Sequence, residues 1–394
     1  MKNQLTVFIL GLSFLLINCG TTEISNVSYP TTLKKAEELT LPLDDETSYE
    51  FPLCTYLKED GQEYLYTTNV FTNGIDIYNL GEQRLVKRLR FPTNGPNSIR
   101  QIQNFTVINS DSIYVYTQAN VFQTILVNGE GEVINSNIFE KPDKISFEAI
   151  INHGSGNTSP TFLHKKQLCF VQYPLIKLAD PANINDEFEC ELCYDLETGK
   201  GNKMRIHFPK SYQNKIWGAF NFMMSRTKGH DDNVVYSWPA KDEIMVTNFK
   251  NEGKWIKAKV DNDYGKTPQP FYKEPEGDED LEVVVFNYTY HRMHYDAYRN
   301  VYYRLALAPM DELKVKDYTA LSYCPIIVII LNENFEKIGE THLPKNIYDF
   351  SACFVGEKGF YIPHTNPGNP NLGENNITYS IFKLQKKLND ETSN

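Results

Sequence analysis

The run from Tyr288 to Asp296 reads Tyr-Thr-Tyr-His-Arg-Met-His-Tyr-Asp and is the densest cluster of polar and aromatic side chains in the chain. Imidazole can carry a proton or bind a metal, and guanidinium pairs with carboxylates and phosphates. Read as a β-strand, the run puts Tyr290, Arg292 and His294 on one face and His291, Met293 and Tyr295 on the other. The helical metalloprotease pattern needs histidines four apart around a Glu, and this spacing does not provide it. Two readings stay open. As an innermost strand the run would face a ligand in a channel, and otherwise its histidines pack and hydrogen-bond between sheets.

Other motifs carry less. Asn152-His153-Gly154-Ser155-Gly156-Asn157 is a small loop that could approach a phosphate, but a lone Gly-x-Gly reads more simply as a surface turn. Gly265-Lys266-Thr267 resembles the end of a phosphate-binding loop, yet Val260 stands where the first Gly is required. There is no Gly-x-Ser-x-Gly elbow for a serine hydrolase. The acidic run from Glu274 to Asp280 lacks the twelve-residue calcium-loop spacing and reads as a solvated loop. Trp217, Trp238 and Trp255 could stack on a sugar, although Trp in strands is usually packing. Cys54, Cys169, Cys190, Cys193, Cys324 and Cys353 permit disulfides in an exported protein, but most lie in apolar strand patterns that favour buried thiols. Cys190 and Cys193 would face opposite sides of a strand, so one metal could not take both. No metal or cofactor is expected.

The elements that position these residues repeat. Ile75–Asn79, Gln123–Asn128, Glu191–Asp195, Ile244–Asn248, Ile327–Asn332 and Tyr379–Lys383 are copies of one strand, and the first five end in Asn or Asp at a turn. Each is preceded by a second strand: Tyr64–Thr67, Ser112–Thr117, Gln167–Tyr173, Asn233–Trp238, Asn300–Leu305 and Gly359–Ile362. First strands are placed near Tyr49–Tyr56, Gln101–Ile108, Ile145–Asn152, Trp217–Ser225, Tyr288–Tyr295 and Tyr348–Val355. Phe91-Pro92, Phe208-Pro209 and Leu343-Pro344 end fourth strands, where a residue without an amide donor fits. The sixth unit has no fourth strand of its own. Glu38-Leu39-Thr40-Leu41-Pro42 has the pattern of Glu340-Thr341-His342-Leu343-Pro344, so the N-terminal strand is expected to complete the last sheet.

The expected fold is all-β: a six-bladed β-propeller of four-stranded antiparallel blades, closed by the N-terminal strand pairing in the C-terminal blade. A seventh blade is possible if a long insert hides strands, and two sandwich domains fit less well because no linker interrupts the repeat. Loops Leu175–Glu187, Asp261–Asp280, Pro309–Tyr323 and His364–Asn375 carry the excess length.

The chain's start is a targeting segment. Lys2 precedes an apolar run, Leu5–Ile17, too short to span a bilayer comfortably. Leu16-Ile17-Asn18-Cys19-Gly20 resembles the bacterial lipoprotein signal, in which the Cys is lipidated. The expected organisation is a signal peptide over 1–18, a tether over 19–32, one propeller over 33–385 and a polar tail over 386–394. A net charge of −11 argues against nucleic acid, which needs clustered Lys and Arg. Together with this signal and the spliced closure, Gly95-Pro96-Asn97-Ser98 and Asp296 through Tyr302-Tyr303-Arg304 resemble motifs of uncharacterised six-bladed propeller lipoproteins of diderm bacteria. That resemblance covers nearly the whole mature chain and implies a fold but no activity.

These readings lead to an outer-membrane lipoprotein facing the periplasm or cell surface, acting as a binding or scaffold module for a glycan, peptide or envelope protein. The candidate ligand-binding residues are Arg100, Arg226, Trp238, Arg292, His294, Arg304 and His364. The alternative is a propeller hydrolase or lyase with a His/Arg site in the channel.

Overall fold

The computed structural model describes residues 29–386, apart from 96, 118–121, 140–148, 152–155, 175–183, 251 and 262–265. The signal peptide, Cys19, most of the tether and the tail beyond Lys386 lie outside the described residues, as does most of the Asn152–Asn157 loop.

β1 spans Thr31–Pro42. Cys54–Glu59 (β2), Gln62–Asn69 (β3), Gly74–Asn79 (β4) and Arg84–Arg90 (β5) form an antiparallel sheet in sequence order. Ile102–Asn109 (β6), Ser112–Thr117 (β7), Gln123–Val127 (β8) and Val133–Ile138 (β9) form the next. In the third sheet, Ala149–Ile151 (β10) and Phe162–His164 (β11) both pair with Gln167–Pro174 (β12), followed by Glu189–Asp195 (β13) and Gly201–His207 (β14). Ser225–Lys228 (β15), Val234–Ser237 (β16), Glu243–Thr247 (β17) and Lys254–Lys257 (β18) make the fourth. A short helix, Glu279–Val285 (α1), precedes Thr289–Asp296 (β19), Val301–Leu307 (β20), Ile326–Leu331 (β21) and Lys337–His342 (β22). Phe354–Gly356 (β23), Gly359–Pro363 (β24) and Asn376–Lys386 (β25) complete the order.

The last two groups are joined through β1 into one eight-stranded sheet, β19-β20-β21-β22-β1-β25-β24-β23. The fold is therefore all-β, a propeller-like arrangement of four-stranded antiparallel sheets. β1 runs antiparallel to β25 from Thr31↔Lys386 to Pro42↔Asn376 and touches β22 through a single parallel pairing, Thr31↔Gly339. Gly339 permits that approach, because a Cβ there would sit 2.5 Å from the Thr31 carbonyl oxygen. Thr341 Oγ1 accepts from Leu33 N at 2.8 Å, while Leu39 and Leu41 are buried with Phe51, Tyr78, Phe354 and Tyr379. Burying such leucines contributes about 1.5–3 kcal/mol each.

The repeated Asn or Asp at the strand ends has a local cause. Asn79, Asn128, Asp195, Asn248 and Asn332 each accept turn amide N–H groups on their side-chain oxygen, for example Glu82 N to Asn79 at 2.9 Å and Thr198 N to Asp195 at 2.8 Å. Such a side chain replaces a backbone acceptor and fixes the turn.

Several expected strands moved. The first strand placed at Trp217–Ser225 begins at Ser225, because Trp217 and Phe222 are buried beneath the sheet in a loop and a 3₁₀ turn. Those placed at Tyr49–Tyr56 and Tyr348–Val355 begin at Cys54 and Phe354. β11 was not anticipated. Part of the acidic run is helical in α1, and Asp280 accepts from Ala219 N at 2.8 Å.

Alternating strand direction gives the array two unlike ends. At one end lie short turns, such as 60–61, 80–83, 110–111, 165–166, 297–300 and 357–358. At the other lie the long connections, including 43–53, 208–224, 258–288, 308–325, 343–353 and 364–375. Thr31 pairs with the last residue of β25, so the chain enters β1 at the short-turn end.

Candidate functional site

The first strands of the sheets surround a cavity of 470 Å³. β2 contributes Cys54 and Tyr56, β6 Phe105 and Val107, β11 Phe162 and Leu163, β15 Thr227, β19 Met293 and His294, and β23 Phe354. Direct contacts link these walls. Tyr56 stacks on Phe354 at 6.2 Å, and Thr106 Oγ1 donates to the Thr161 carbonyl at 3.0 Å. Arg226 N donates to the Thr158 carbonyl at 3.2 Å, and Cys54 N to Asn157 Oδ1 at 2.7 Å.

Of the expected residues, His294 lines this cavity and Arg292 lies two residues before it on β19. β19 forms where expected, but a bulge at His291 breaks its alternation: Tyr290 packs with Met293 and Tyr295, whereas His291 and Arg292 both lie against Phe350, and Arg292 and His294 face the side of β23 and β24. The Arg292 guanidinium lies 5.2 Å from the Phe350 ring, and the His294 ring lies 5.1 Å from that of Phe360. The His294 ring is half-buried and lines the cavity, but its Nε2 is buried without a hydrogen-bond partner. Burial, and then the charge of Arg292, lower its pKa to about 3. His291 lies on the sheet side, with Nε2 2.8 Å from Thr289 Oγ1, and is lowered to about 3 for the same reasons. Burial lowers Arg292 to about 10, so it stays cationic at neutral pH.

The other expected residues lie elsewhere. Arg304 is fully buried between sheets, stacked 3.6 Å from the Tyr290 ring centre. It donates to Ser237 Oγ and to the carbonyls of Lys241, Asp242, Glu243 and Ala258. In place of a ligand it holds the ends of a neighbouring sheet. Arg226 is likewise buried, paired with the Glu191 carboxylate and donating to the Cys169 carbonyl at 3.0 Å. Trp238 is core, packed against Tyr236 and Trp255. His364 bonds to Ser380 Oγ at 2.7 Å in a separate 380 Å³ recess beside Glu38 and Asn376. Arg100 is exposed and donates to the Thr93 carbonyl at 3.1 Å. A 690 Å³ groove between β14 and β18 is larger than the channel cavity, but its Arg205, Lys210 and Lys250 are solvated.

Cys169 and Cys193, directly opposed on β12 and β13, form a disulfide. This replaces the expected thiols at those positions, while Cys54, Cys190, Cys324 and Cys353 stay free. Those two sulfurs and Glu191 cluster within 4.8 Å, but the disulfide and Arg226 already engage them. Cys54, Asp349, Phe350 and Cys353 lie around Arg292 and were missed as site residues. They lie at or before the starts of inner strands, where the sequence carries no periodicity.

The model of the domain of unknown function DUF4221 matches residues 30–342. The chain belongs to the DUF4221 family. A crystallised DUF4221 member from Bacteroides vulgatus is 27% identical, over 91% of this chain and 99% of that one, with a TM-score of 0.81. Virginiamycin B lyase from Staphylococcus aureus is 11% identical, over 88% of this chain and 99% of that one, with a TM-score of 0.41. No curated protein matches the sequence. In this DUF4221 chain no helix among the described residues is long and apolar enough to cross a membrane.

Proposed function

We propose that this DUF4221 protein is a lipid-anchored binding module of the cell envelope, built as a six-bladed propeller that takes its ligand in the central channel. The eight-stranded sheet divides at its single parallel pairing into two four-stranded blades, which supports the count of six. The apolar run ending at Cys19 supports export and lipidation, with the outer membrane as the site of anchoring. Glycans, peptides and envelope proteins are the partner classes.

The observation that carries the binding reading is the 470 Å³ cavity walled by first strands, with His294 in its lining and Arg292 close by on the same strand. Concave, largely apolar sites with a few polar groups are the usual form of a ligand pocket. The buried, unpaired Nε2 of His294 favours the hydrolase or lyase reading in part. A histidine titrating near 3 is a weak proton acceptor at neutral pH, so binding is the better-supported role.

Thr227→Phe fills the cavity from β15 and is the direct test. A ligand from an envelope extract that stabilises wild type should lose its effect on this variant. Unchanged stabilisation would remove the channel from the reading. Cys19→Ala should move the protein from the membrane to the soluble fraction, and retention in the membrane would refute the anchor.

A further inference from the structure

Among the described residues three arginines are buried, and the terminal amino groups of two of them are engaged. Arg226 has a carboxylate, and Arg304 has a hydroxyl and four carbonyls. Arg292 is 8% exposed and donates only through Nε, to the Phe350 carbonyl at 3.4 Å. Among the described residues its two terminal amino groups have no hydrogen-bond partner, and no carboxylate lies within 4.0 Å. Asp349 is near enough to feel its charge, but one carboxylate oxygen is already bonded to Ser351 N and Oγ. Its terminal amino groups keep some exposure, unlike the enclosed Nε of Arg226, and an anion reaching them would complete the guanidinium.

We propose that Arg292 anchors a carboxylate subsite at the channel wall, and that the ligand is a monocarboxylate with an apolar body. The inference rests on the channel reading above. Arg292 immediately precedes Met293 and His294 on β19, and its charge acts on Cys54 and Cys353; all four of these residues line the cavity. A planar fork of N–H donors fits a carboxylate by geometry. His294 stays neutral and adds no second charge beside Arg292. One cation with Asp349 nearby disfavours phosphate, which gathers several positive groups. Phe105, Val107, Phe162, Met293 and Phe354 supply apolar walls for the rest of the ligand.

The test is calorimetric titration of the mature chain with acetate, hexanoate and 3-phenylpropionate, against 3-phenylpropanamide and inorganic phosphate. The apolar acids should bind saturably, and the amide and phosphate about tenfold or more weaker. R292M should lose the preference for acid over amide yet melt at or above the wild-type temperature, because it removes an unpaired charge. A structural arginine predicts the reverse, so an R292M that fails to fold or melts well below wild type overturns the subsite. Equal binding of acid and amide, or no binding of any acid, also overturns it. Thr227→Phe separates the two levels. If it abolishes binding while acid and amide bind wild type alike, the channel stands and the carboxylate subsite falls. If it leaves binding intact, the channel reading falls as well.

Discussion

Arg226→Met should destabilise the fold by about 3–5 kcal/mol, the usual consequence of removing one partner from an enclosed ion pair. Both side chains are fully buried, and Glu191 has Arg226 on one oxygen and the Tyr236 hydroxyl, at 3.0 Å, on the other. Without the arginine, the carboxylate keeps only the phenol. Burial already raises the Glu191 pKa against the opposing pull of Arg226, so losing Arg226 raises it further. The folded state then binds a proton more tightly than the unfolded chain, and stability falls as pH rises through the unfolded value toward the folded one. Relative to wild type, R226M should therefore regain stability on acidification toward the unfolded carboxylate value. E191L/R226M removes both charges and should return to within about 1 kcal/mol of wild type. Urea denaturation followed by tryptophan fluorescence at pH 5 and pH 7 measures all of this. A single variant within about 0.5 kcal/mol of wild type, or a double variant no better than the single, would refute the reasoning.

The β1 closure should depend on Leu41: Leu41→Asp places a charge at a fully buried position, and limited proteolysis should then cut near the chain's start while wild type resists. Gly339→Val should weaken the same seam by driving a side chain into the Thr31 carbonyl, read as a lower melting temperature. Reducing Cys169–Cys193, separated by 24 residues, should lower stability by about 3.5 kcal/mol on the loop-entropy estimate, measured as urea midpoints with and without dithiothreitol. His291 and His294 have folded pKa values near 3, below that of an unfolded histidine, so the stability they contribute is present above about pH 6.5 and lost as pH falls toward 3. H294Q should flatten that acid limb, and an unchanged limb would contradict the burial argument.

The sheet pattern was legible because strand and turn chemistry are local. Asn79, Asn128, Asp195, Asn248 and Asn332 mark turns through their own side chains, so their positions could be read directly. The pairing of the N-terminal strand in the last sheet was legible for a different reason: a strand pattern missing at one end of the chain was present at the other. First strands were harder. Enclosed by neighbouring sheets, they lose alternation, and aromatic residues before them, such as Trp217 and Phe350, imitate strand composition. Of the candidate site residues, Arg292 and His294 were found by their shared strand face. Arg226, Arg304 and Trp238 have equally suggestive types, yet what separates them from Arg292 is the supply of acceptors from residues distant in sequence, such as Ala258 for Arg304.

The unlike ends of the fold bear on where such a ligand enters. A hairpin turn is tied to the register of the strands it joins, so insertions there disturb pairing. Connections from one sheet to the next carry no such constraint and can lengthen, as 258–288 and 343–353 have done. Arg292 lies in the first half of β19, toward its long-loop end, and Asp349 and Phe350 come from the 343–353 connection itself. The unpaired guanidinium is thus on the side where the chain can change most freely without disturbing the closure at Thr31. Variation in loop length can then alter the body of the ligand admitted while leaving the charge that holds it in place.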